Sequence, residues 1–291
     1  MASGARRPSP AEIAALRDWY RPRHRAYPWR RARPDPYAVL VSEVMLQQTQ
    51  AVRVVPAFER FLRRFPDVHR LAGAGRPEVI RAWAGLGYNR RAVALHEAAR
   101  AIERNHAGRV PRTPAELRRL PGVGPYTANA VASIAYGVPV PAPDVNVRRI
   151  VARVVRGRDP HDVRPADLTA ALEGFLDRAD PAAWNQALMD LGREVCRPSP
   201  RCDACPLRPA CRFRAARRTP TRRPRAQGRF EGSMRQVRGG VVAALRERGT
   251  AGLAALARRT GEDRDRVRRA LDGLERDGIV EAVGRSYRLH H

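Results

Sequence analysis

The sequence predicts an all-α body that carries a small C-terminal module of three helices and a hairpin. Apolar residues recur at spacings of three and four along most of the chain, as at Val52, Val55 and Phe58, and this is the period of an amphipathic helix. Similar patterns predict further helices at roughly 76–86, 90–105, 113–120, 125–137, 145–156, 166–178 and 183–195. Proline and glycine separate these segments, whereas the alternating patterns typical of strands are scarce. A chain of 291 residues with 43% hydrophobic side chains is long enough for two or three folded domains.

Shifts in composition divide the chain into modules. We expect residues 31–136 to form a six-helix module, and residues 1–30 to join residues 137–212 in a second helical module. Residues 213–233 are rich in arginine and proline, which predicts a linker. The remaining residues, 234–291, predict a separate C-terminal domain.

This C-terminal domain combines helical periods with a hairpin. Helices are predicted at about 234–247, 250–259 and 263–277, and the run IVEAVGRSYRL predicts two short strands that meet near Gly284. This order is typical of a winged helix, whose third helix often lies in the major groove of DNA. A winged helix that contacts only protein is the alternative. The predicted third helix carries Arg264, Arg266, Arg268 and Arg269.

The charge of the chain is strongly positive. Basic residues outnumber acidic ones 56 to 29, which gives a formal net charge of +27 and a sequence pI near 11.6. Such a surface attracts polyanions, of which nucleic acid is the commonest, although an arginine-rich bias of the whole source proteome would also raise the charge. All 56 basic residues are arginine, so the chain contains no lysine.

The sequence shows no targeting or membrane segment. The N-terminus lacks the apolar core of a signal peptide, and no stretch approaches the roughly 18 apolar residues of a membrane span. We therefore expect a soluble, cytoplasmic, monomeric protein that does not bind a membrane, and in that compartment disulfides are rare.

The four cysteines of the chain all lie in one short loop, CRPSPRCDACPLRPAC. Such clustering predicts a metal site. Zinc usually takes two close pairs separated by a longer span, whereas here one close pair stands between two outlying cysteines and the loop has no histidine. Four thiolates so arranged favour a [4Fe–4S] cluster, with zinc or a disulfide pair as alternatives. The expected ligands are Cys196, Cys202, Cys205 and Cys211.

A glycine-containing turn joins two predicted helices at Leu120-Pro-Gly-Val-Gly-Pro-Tyr-Thr127. Two glycines around one apolar residue permit a tight turn, and the amides there lie at a helix N-terminus, where an anion is stabilised. This arrangement can bind a DNA phosphate without reading the base sequence, although many ordinary helix joints also contain glycine. The candidate phosphate-binding residues are Gly122, Val123 and Gly124.

Two carboxylates lie in contrasting sequence environments. Glu43 is surrounded by apolar residues in YAVLVSEVML, so burial should raise its pKa and keep it a neutral proton donor; a buried glutamate paired with arginine is the alternative. Asp144 opens a predicted helix after a proline-rich stretch, and an N-cap position should keep it ionised, although a purely structural cap has the same pattern. Carboxyl pKa values that differ in this way suit glycosidic cleavage.

Taken in order, these segments resemble the MutY-type adenine DNA glycosylases of the endonuclease III-like, helix-hairpin-helix superfamily. The matching motifs extend from about residue 28 to 211 and are SEVMLQQTQ (42–50), GLGY (85–88), LPGVGPYTANA (120–130), PDVNVRRI (143–150), NQALMDLG (185–192) and the cysteine loop. The resemblance implies a two-module, all-α glycosylase with an iron–sulfur loop and a cleft between the modules. The substrate would be double-stranded DNA in which adenine lies opposite 8-oxoguanine or guanine.

The resemblance also assigns roles to individual residues. Glu43 would protonate the departing adenine, Asp144 would stabilise the oxocarbenium-like sugar, and Tyr126 and Asn146 would orient them. Gln48 and Tyr88 would fill the gap left by the flipped base, with Thr49 and Leu86 beside the opposite base. Lyase relatives have a Schiff-base lysine where this chain has Tyr126, so with no lysine it should stop at an abasic site.

The chain departs from the family pattern in several places. Five residues separate Cys196 from Cys202 where six are common, and Val145 and Asn89 stand where the family often has glycine and tyrosine. The large C-terminal domain that reads 8-oxoguanine in many members is replaced by the short winged-helix-like segment. A thymine or uracil mismatch glycosylase of the same fold is therefore one alternative, and a non-catalytic iron–sulfur DNA-binding regulator is another.

Overall fold

A computed structural model describes residues 6–24, 26–220 and 228–291. It confirms the predicted all-α body, because the strands within these residues are short and confined to the C-terminal module. No helix in the described ranges is long and apolar enough to cross a membrane. The helices are α1 (Pro10–Tyr20), α2 (Pro36–Leu46), α3 (Ala51–Arg64), α4 (Val68–Ala72), α5 (Arg76–Ala82), α6 (Arg90–His106), α7 (Pro114–Leu117), α8 (Pro125–Tyr136), α9 (Val145–Val151), α10 (Pro165–Gly174), α11 (Pro181–Glu194), α12 (Arg212–Ala215), α13 (Met234–Arg248), α14 (Leu253–Thr260) and α15 (Arg264–Arg276).

The chain folds as two compact units. The first comprises Met1–Leu40, Arg112–Arg119 and Val123–Arg225, and the second comprises Val41–Pro111, Leu120–Gly122 and Ala226–His291. Compared with the predicted modules, residues 31–40, 112–119 and α8 fall in the first unit, and residues 234–291 fall in the second unit together with residues 41–111. Asn185 donates a hydrogen bond to Ser133 Oγ on α8 at 2.9 Å, and Asn129 on α8 donates one to the Pro141 carbonyl at 2.7 Å, so both bonds connect α8 to other residues of the first unit. The predicted boundaries themselves stay a prediction.

The core of the first unit forms where α1, α9, α10 and α11 meet. Leu16, Ile150, Leu188 and Leu191 are fully or almost fully buried there. Each of these helices presents one apolar stripe, and only packing against the others removes it from water. After α9 the helix widens into one π-helical turn, Ala152–Arg156, a feature that often accompanies functional sites.

The second unit contains α3 to α6 and the C-terminal module. In α3 the buried face is formed by Val54, Phe58 and Phe61, whereas Val52 is 72% exposed. Phe61 packs edge-to-face against Trp83, with ring centroids 5.8 Å apart. α5 ends at Ala82, earlier than the predicted residue 86, and the turn that follows contains Gly85 and Gly87 at positive φ values of 87° and 67°.

The C-terminal module has the predicted winged-helix order and one strand that the sequence did not reveal. Strands β1 (Thr250–Gly252), β2 (Val280–Val283) and β3 (Ser286–Leu289) form an antiparallel sheet in the order β1-β3-β2. The prediction placed residues 250–252 in a helix. These three residues carry too short a pattern to identify, and they become a strand by pairing with β3.

The linker prediction falls partly outside the described residues. Residues 221–227 belong to it and are not described, and residues 1–5 of the first predicted module are likewise outside the described ranges. At the start of the predicted linker, Arg212–Ala215 forms the short helix α12, in which Phe213 is buried. Residues 216–220, which follow this helix, are exposed.

Candidate active site

Glu43 lies on α2, a helix that is buried on nearly every side. Its neighbours Ser42 and Val44 are 1% and 3% exposed, and Glu43 itself is 5% exposed. The apolar run around Glu43 therefore buries this carboxyl, as its sequence environment indicates. The role of Glu43 as a proton donor stays a prediction.

Asp144 occupies the N-cap position of α9. Its Oδ1 accepts hydrogen bonds from the backbone amides of Asn146 and Val147 at 2.9 and 2.6 Å, and its Oδ2 accepts one from the Asn146 side chain at 2.8 Å. Burial raises the pKa of Asp144, while these hydrogen bonds and the nearby charge of Arg149 oppose that rise. The pKa of Asp144 lies above its ordinary value because burial has the larger effect, and the expectation that the cap keeps this carboxyl ionised stays a prediction.

The proline-rich segment before Asp144 is fixed by two asparagines. Asn185 is 1% exposed; its Oδ1 accepts from the Ala142 amide at 2.9 Å and its Nδ2 donates to the Val140 carbonyl at 2.9 Å. Asn129 on α8 donates to the Pro141 carbonyl at 2.7 Å. Buried backbone groups of an irregular segment need such partners, and here the partners also fix the direction in which α9 begins.

Arg149 connects the Asp144 cap to the loop that carries the cysteines. Its Nη2 donates to Asn146 Oδ1 and to the Gly192 carbonyl, each at 2.7 Å, and its Nε donates to the Cys196 carbonyl at 2.6 Å. Gly192 is required at this point, because a Cβ atom there would lie 2.5 Å from the Cβ of Asn146. Asn146 is thus held from both sides, and its amide is aimed at Asp144.

Tyr126 lies in the first turn of α8, in the same unit as Asp144. Its hydroxyl donates a hydrogen bond to the sulfur of Met189 at 3.8 Å. This bond is weak, because a thioether sulfur is a poor acceptor. The predicted contact of Tyr126 with the carboxylate or the sugar stays a prediction.

Gln48 and Tyr88, the predicted gap-filling pair, share an uncommon backbone conformation. Their φ angles are 56° and 48°, in the left-handed region that non-glycine residues rarely adopt, and both are exposed, Tyr88 to 39%. Strain of this kind persists only where the surrounding structure imposes it, and it often marks functional sites. Of the two residues expected beside the opposite base, Thr49 is partly exposed and Leu86 is 4% exposed.

Arg91, which the sequence patterns did not single out, forms hydrogen bonds to the chain close to both Gln48 and Tyr88. Its Nη1 donates to the carbonyls of Val44, Met45 and Gln47, and its Nη2 donates to Thr49 Oγ1 at 3.0 Å and to the carbonyls of Leu86 and Gly87 at 3.2 Å. One guanidinium thus joins the chain around Gln48 to the chain before Tyr88. Burial lowers the pKa of Arg91 to about 10, so it stays charged at neutral pH.

The glycine turn before α8 has the geometry that its sequence indicates. Gly122 has a φ of 72°, and a Cβ atom there would lie 2.6 Å from the Cβ of Ala94, so glycine is required on both grounds. Gly124 is the extended N-cap residue of α8, with Pro125 in the first turn, and Val123 is buried between the two exposed glycines. Binding of phosphate by this turn stays a prediction.

The four cysteines line one cavity in the first unit, together with Arg153 and Phe213. All four are free thiols, and burial raises the pKa of Cys196 and Cys211 and raises that of Cys205 to about 12. No histidine lines the cavity. Across residues 6–24, 26–220 and 228–291, no group of three histidine, cysteine or acidic side chains is placed to hold a single metal ion.

Arg153 holds this loop in place from the π-helical turn. It is 3% exposed and donates to Asp159 Oδ1 at 2.7 Å, to the Arg197 carbonyl at 2.7 Å and to the Cys196 sulfur at 3.8 Å. A buried arginine beside thiol groups favours their ionised form. The donor set, four thiols around one cavity beside a buried cation, fits an iron–sulfur cube.

Comparison with known proteins gives these features a context. A sequence model of the HhH-GPD superfamily of base excision DNA repair proteins matches residues 41–169. An adenine DNA glycosylase of Mycolicibacterium smegmatis is 43% identical over 280 residues, which cover 94% of this chain and 92% of that protein. The chain therefore belongs to the HhH-GPD superfamily of base excision DNA repair proteins, and within it to the family of the adenine DNA glycosylases.

Solved structures agree with this membership. A thermostable thymine-DNA glycosylase superposes with a TM-score of 0.64 at 27% identity, over 70% of this chain and 95% of that one. An endonuclease III bound non-covalently to DNA superposes with a TM-score of 0.58 at 25% identity, over 71% of this chain and 97% of the enzyme. These matches confirm the predicted glycosylase fold.

Proposed function

We propose that the chain is a DNA N-glycosylase of base excision repair that removes adenine from mispaired duplex DNA and leaves an abasic site. The observation that carries this proposal is the Asp144 carboxyl group at the N-cap of α9, which accepts three hydrogen bonds. The adenine DNA glycosylase that matches 94% of the chain supports it. Simple binding of DNA needs neither this anion nor a buried glutamate, which argues against a purely regulatory role.

The chemistry follows from the two carboxyl environments. Glu43 donates its proton to the adenine ring, so that the base departs as a neutral molecule when the N-glycosidic bond breaks. Asp144 then stabilises the positive charge that develops on the sugar, and water adds to complete the abasic site. Asn146 and Arg149 keep Asp144 oriented through the hydrogen bonds described above, and Tyr126 helps to position the sugar.

Recognition of the duplex uses the exposed, left-handed pair. Gln48 and Tyr88 occupy the space from which adenine has been flipped, a step that such enzymes need to reach the bond. Thr49 and Leu86 lie beside the opposite base, 8-oxoguanine or guanine. The amides of residues 122–124 bind a backbone phosphate, and the chain acts as a monomer.

A [4Fe–4S] cluster is the cofactor we propose for the cysteine loop, with Cys196, Cys202, Cys205 and Cys211 as its ligands. The cluster would supply a structural crosslink that stabilises the loop for DNA docking and takes no part in bond cleavage. Arg153 and Arg149 orient the loop around it from the neighbouring helix.

The absence of lysine bears on the reaction's end point. A β-lyase step needs an amine that forms an imine with the opened sugar, and the chain has no lysine side chain. We therefore propose a monofunctional enzyme.

The experiment that tests this proposal is single-turnover cleavage over a panel of duplexes. Adenine opposite 8-oxoguanine should be released fastest, then adenine opposite guanine, with alkali needed to break the strand at the abasic site. A strand break without alkali, together with borohydride trapping of a covalent complex, would contradict a monofunctional reaction.

One second candidate has a specific observation in its favour. The superposition with a thymine-DNA glycosylase suits an enzyme that removes thymine or uracil opposite guanine. The same panel separates the two, because preferred release of thymine or uracil would exclude the adenine assignment while leaving the carboxylate roles intact.

A further inference from the structure

The C-terminal module, residues 234–291, shares its hydrophobic core with the glycosylase helices of the second unit. Ile80 on α5 is fully buried in the same cluster as Val237, Val241 and Leu245 of α13, and Val93 on α6 packs against that cluster. Such a shared core differs from a flexible attachment, since separating the two parts would expose apolar surface to water.

Polar contacts fix the orientation of this module on α5 and α6. Arg76 donates to the Gly278 carbonyl at 3.3 Å and to Glu97 at 2.7 Å. Arg90, the first residue of α6, lies 3.2 Å from Asp277, and Asp277 also pairs with Arg238 of the module. The contact between Arg90 and Asp277 therefore joins the module to the start of α6, two residues after Tyr88.

The contact nearest to the gap-filling residue joins Arg246 to Asn89. Arg246, in the last turn of α13, donates from Nε to the Ile80 carbonyl at 3.1 Å and from Nη2 to Asn89 Oδ1 at 3.0 Å. Asn89 is the N-cap residue of α6, yet its side chain makes no capping bond to that helix. The side-chain oxygen of Asn89 instead accepts the hydrogen bond from Arg246 of the C-terminal module. Asn89 directly follows Tyr88, which has the left-handed backbone conformation.

We propose that Arg246 and Asn89 are positioning residues that fix the conformation of residues 85–88, so that the C-terminal module sets the discrimination between opposite bases without touching the DNA base itself. The inference rests on the proposed function, in which Tyr88 fills the gap in the duplex. It gives the module a role in specificity that acts through the protein chain.

Direct contact of the module with DNA is the competing explanation. The structure gives it less support, because Arg266 of α15 donates to the Gly232 carbonyl at 2.6 Å and pairs with Glu262 at 2.8 Å. Arg268 lies 3.8 Å from Asp265. Two of the four arginines singled out on α15, Arg266 and Arg268, thus have partners within the module.

The test uses the full-length chain, four single variants, the Asn89→Ala/Arg246→Ala double variant, and Arg264→Ala as the variant for direct DNA contact. Asn89→Ala removes the acceptor, Arg246→Ala removes the donor, Asn89→Asp keeps an acceptor for Arg246, and Arg248→Ala removes an exposed arginine from the same helix as a control. Single-turnover rates are measured with adenine opposite 8-oxoguanine and opposite guanine, with duplex affinity and thermal unfolding measured alongside.

We expect Asn89→Ala and Arg246→Ala each to reduce the ratio of the two rates about fivefold, as loss of one charge-assisted hydrogen bond permits. The double variant should show no larger loss than either single change, because both remove one contact. Asn89→Asp should restore most of the ratio, and Arg248→Ala should leave it unchanged.

Several results would overturn the inference. An unchanged ratio in Asn89→Ala, additive losses in the double variant, or an equal loss in Arg248→Ala would each do so. A lost ratio in Arg264→Ala with Asn89→Ala unaffected would assign specificity to direct DNA contact instead. If the unmodified chain released no adenine from any duplex, both this inference and the proposed function would fall, whereas the other outcomes concern the inference alone.

Discussion

At the scale of single residues, Asp144 is subject to two opposing influences. Burial favours its neutral form, and amide hydrogen bonds favour its ionised form, with the pKa raised as the net result. Since only the ionised form can stabilise a cationic sugar, activity should be lost as the pH falls through this raised pKa. The acid limb of the single-turnover pH profile should therefore lie above the ordinary aspartate value of about 3.9.

The control for this profile is Asp180, which caps α11 at an exposed position. Asp180→Asn should keep the whole profile, whereas Asp144→Asn should remove most of the activity at every pH. An acid limb at the ordinary aspartate value would show that burial in the free protein does not persist in the complex.

The role of Glu43 can be tested with glutamine, because the glutamine amide has the same shape as the glutamate carboxyl but cannot donate the required proton. Glu43→Gln should lower the single-turnover rate about a hundredfold or more and leave duplex affinity nearly unchanged. Glu59→Gln, an exposed change on α3, is the matched control. Near-normal base release by Glu43→Gln would assign the proton to another group.

Replacing Arg91 by lysine tests whether its charge or the planar geometry of its guanidinium matters. Arg91→Lys keeps the positive charge, but a single ammonium cannot reach the carbonyls on both loops that the planar guanidinium joins. We expect base release to slow about tenfold, with the electrostatic part of DNA affinity retained. The exposed Arg104→Lys on the same helix should have no effect, and an equal effect there would refute this role.

Sequence patterns could identify the two carboxylates but not the residues that orient them. Glu43 and Asp144 have informative neighbours, an apolar run and a helix start, because their environments are mostly local. Arg91 and Arg149 are two of 56 arginines, and nothing near them in the sequence separates a buried arginine from an exposed one. Their partners lie across the fold, so only the tertiary structure reveals them.

At the scale of elements, the cysteine loop predicts a measurable metal content. Anaerobically purified protein should be yellow-brown and contain about four irons per chain. Stoichiometric zinc without iron in such a preparation would contradict the cluster. Arg153→Ala should leave the buried thiols without their nearby cation and lower the iron content, whereas the exposed Arg158→Ala should leave it unchanged.

The bounds of the helices show how much of the secondary structure the local sequence pattern predicts. The periodic segments that became α6, α8 and α11 were located within a few residues because each has a clear apolar face and defined ends. The predicted helices at 76–86 and 113–120 proved shorter, as Arg76–Ala82 and Pro114–Leu117. Glycines at positive φ follow the end of the first, and the sequence did not predict β1 because its conformation depends on pairing with the distant strand β3.

At the scale of the whole molecule, the buried Ile80 predicts that α5 and the C-terminal module stabilise each other. Ile80→Ala should reduce the free energy of unfolding by about 2 to 5 kcal/mol, measured by urea denaturation. Hydrogen exchange should show lost protection in α13 as well. Val79→Ala, equally buried on the same helix but outside that cluster, should reduce stability without this selective loss of protection in α13.

The shared core around Ile80 also means that the polypeptide link to the C-terminal module is not what keeps the module on α5. A protease that cut after the exposed Arg218 would leave two fragments held together by buried apolar surface and by the Arg76, Arg90 and Arg246 contacts. The nicked protein would elute as one species and separate only in denaturant. The linker only sets the effective concentration of the module near α5. We therefore expect that its length and sequence can vary widely while the module stays bound to α5.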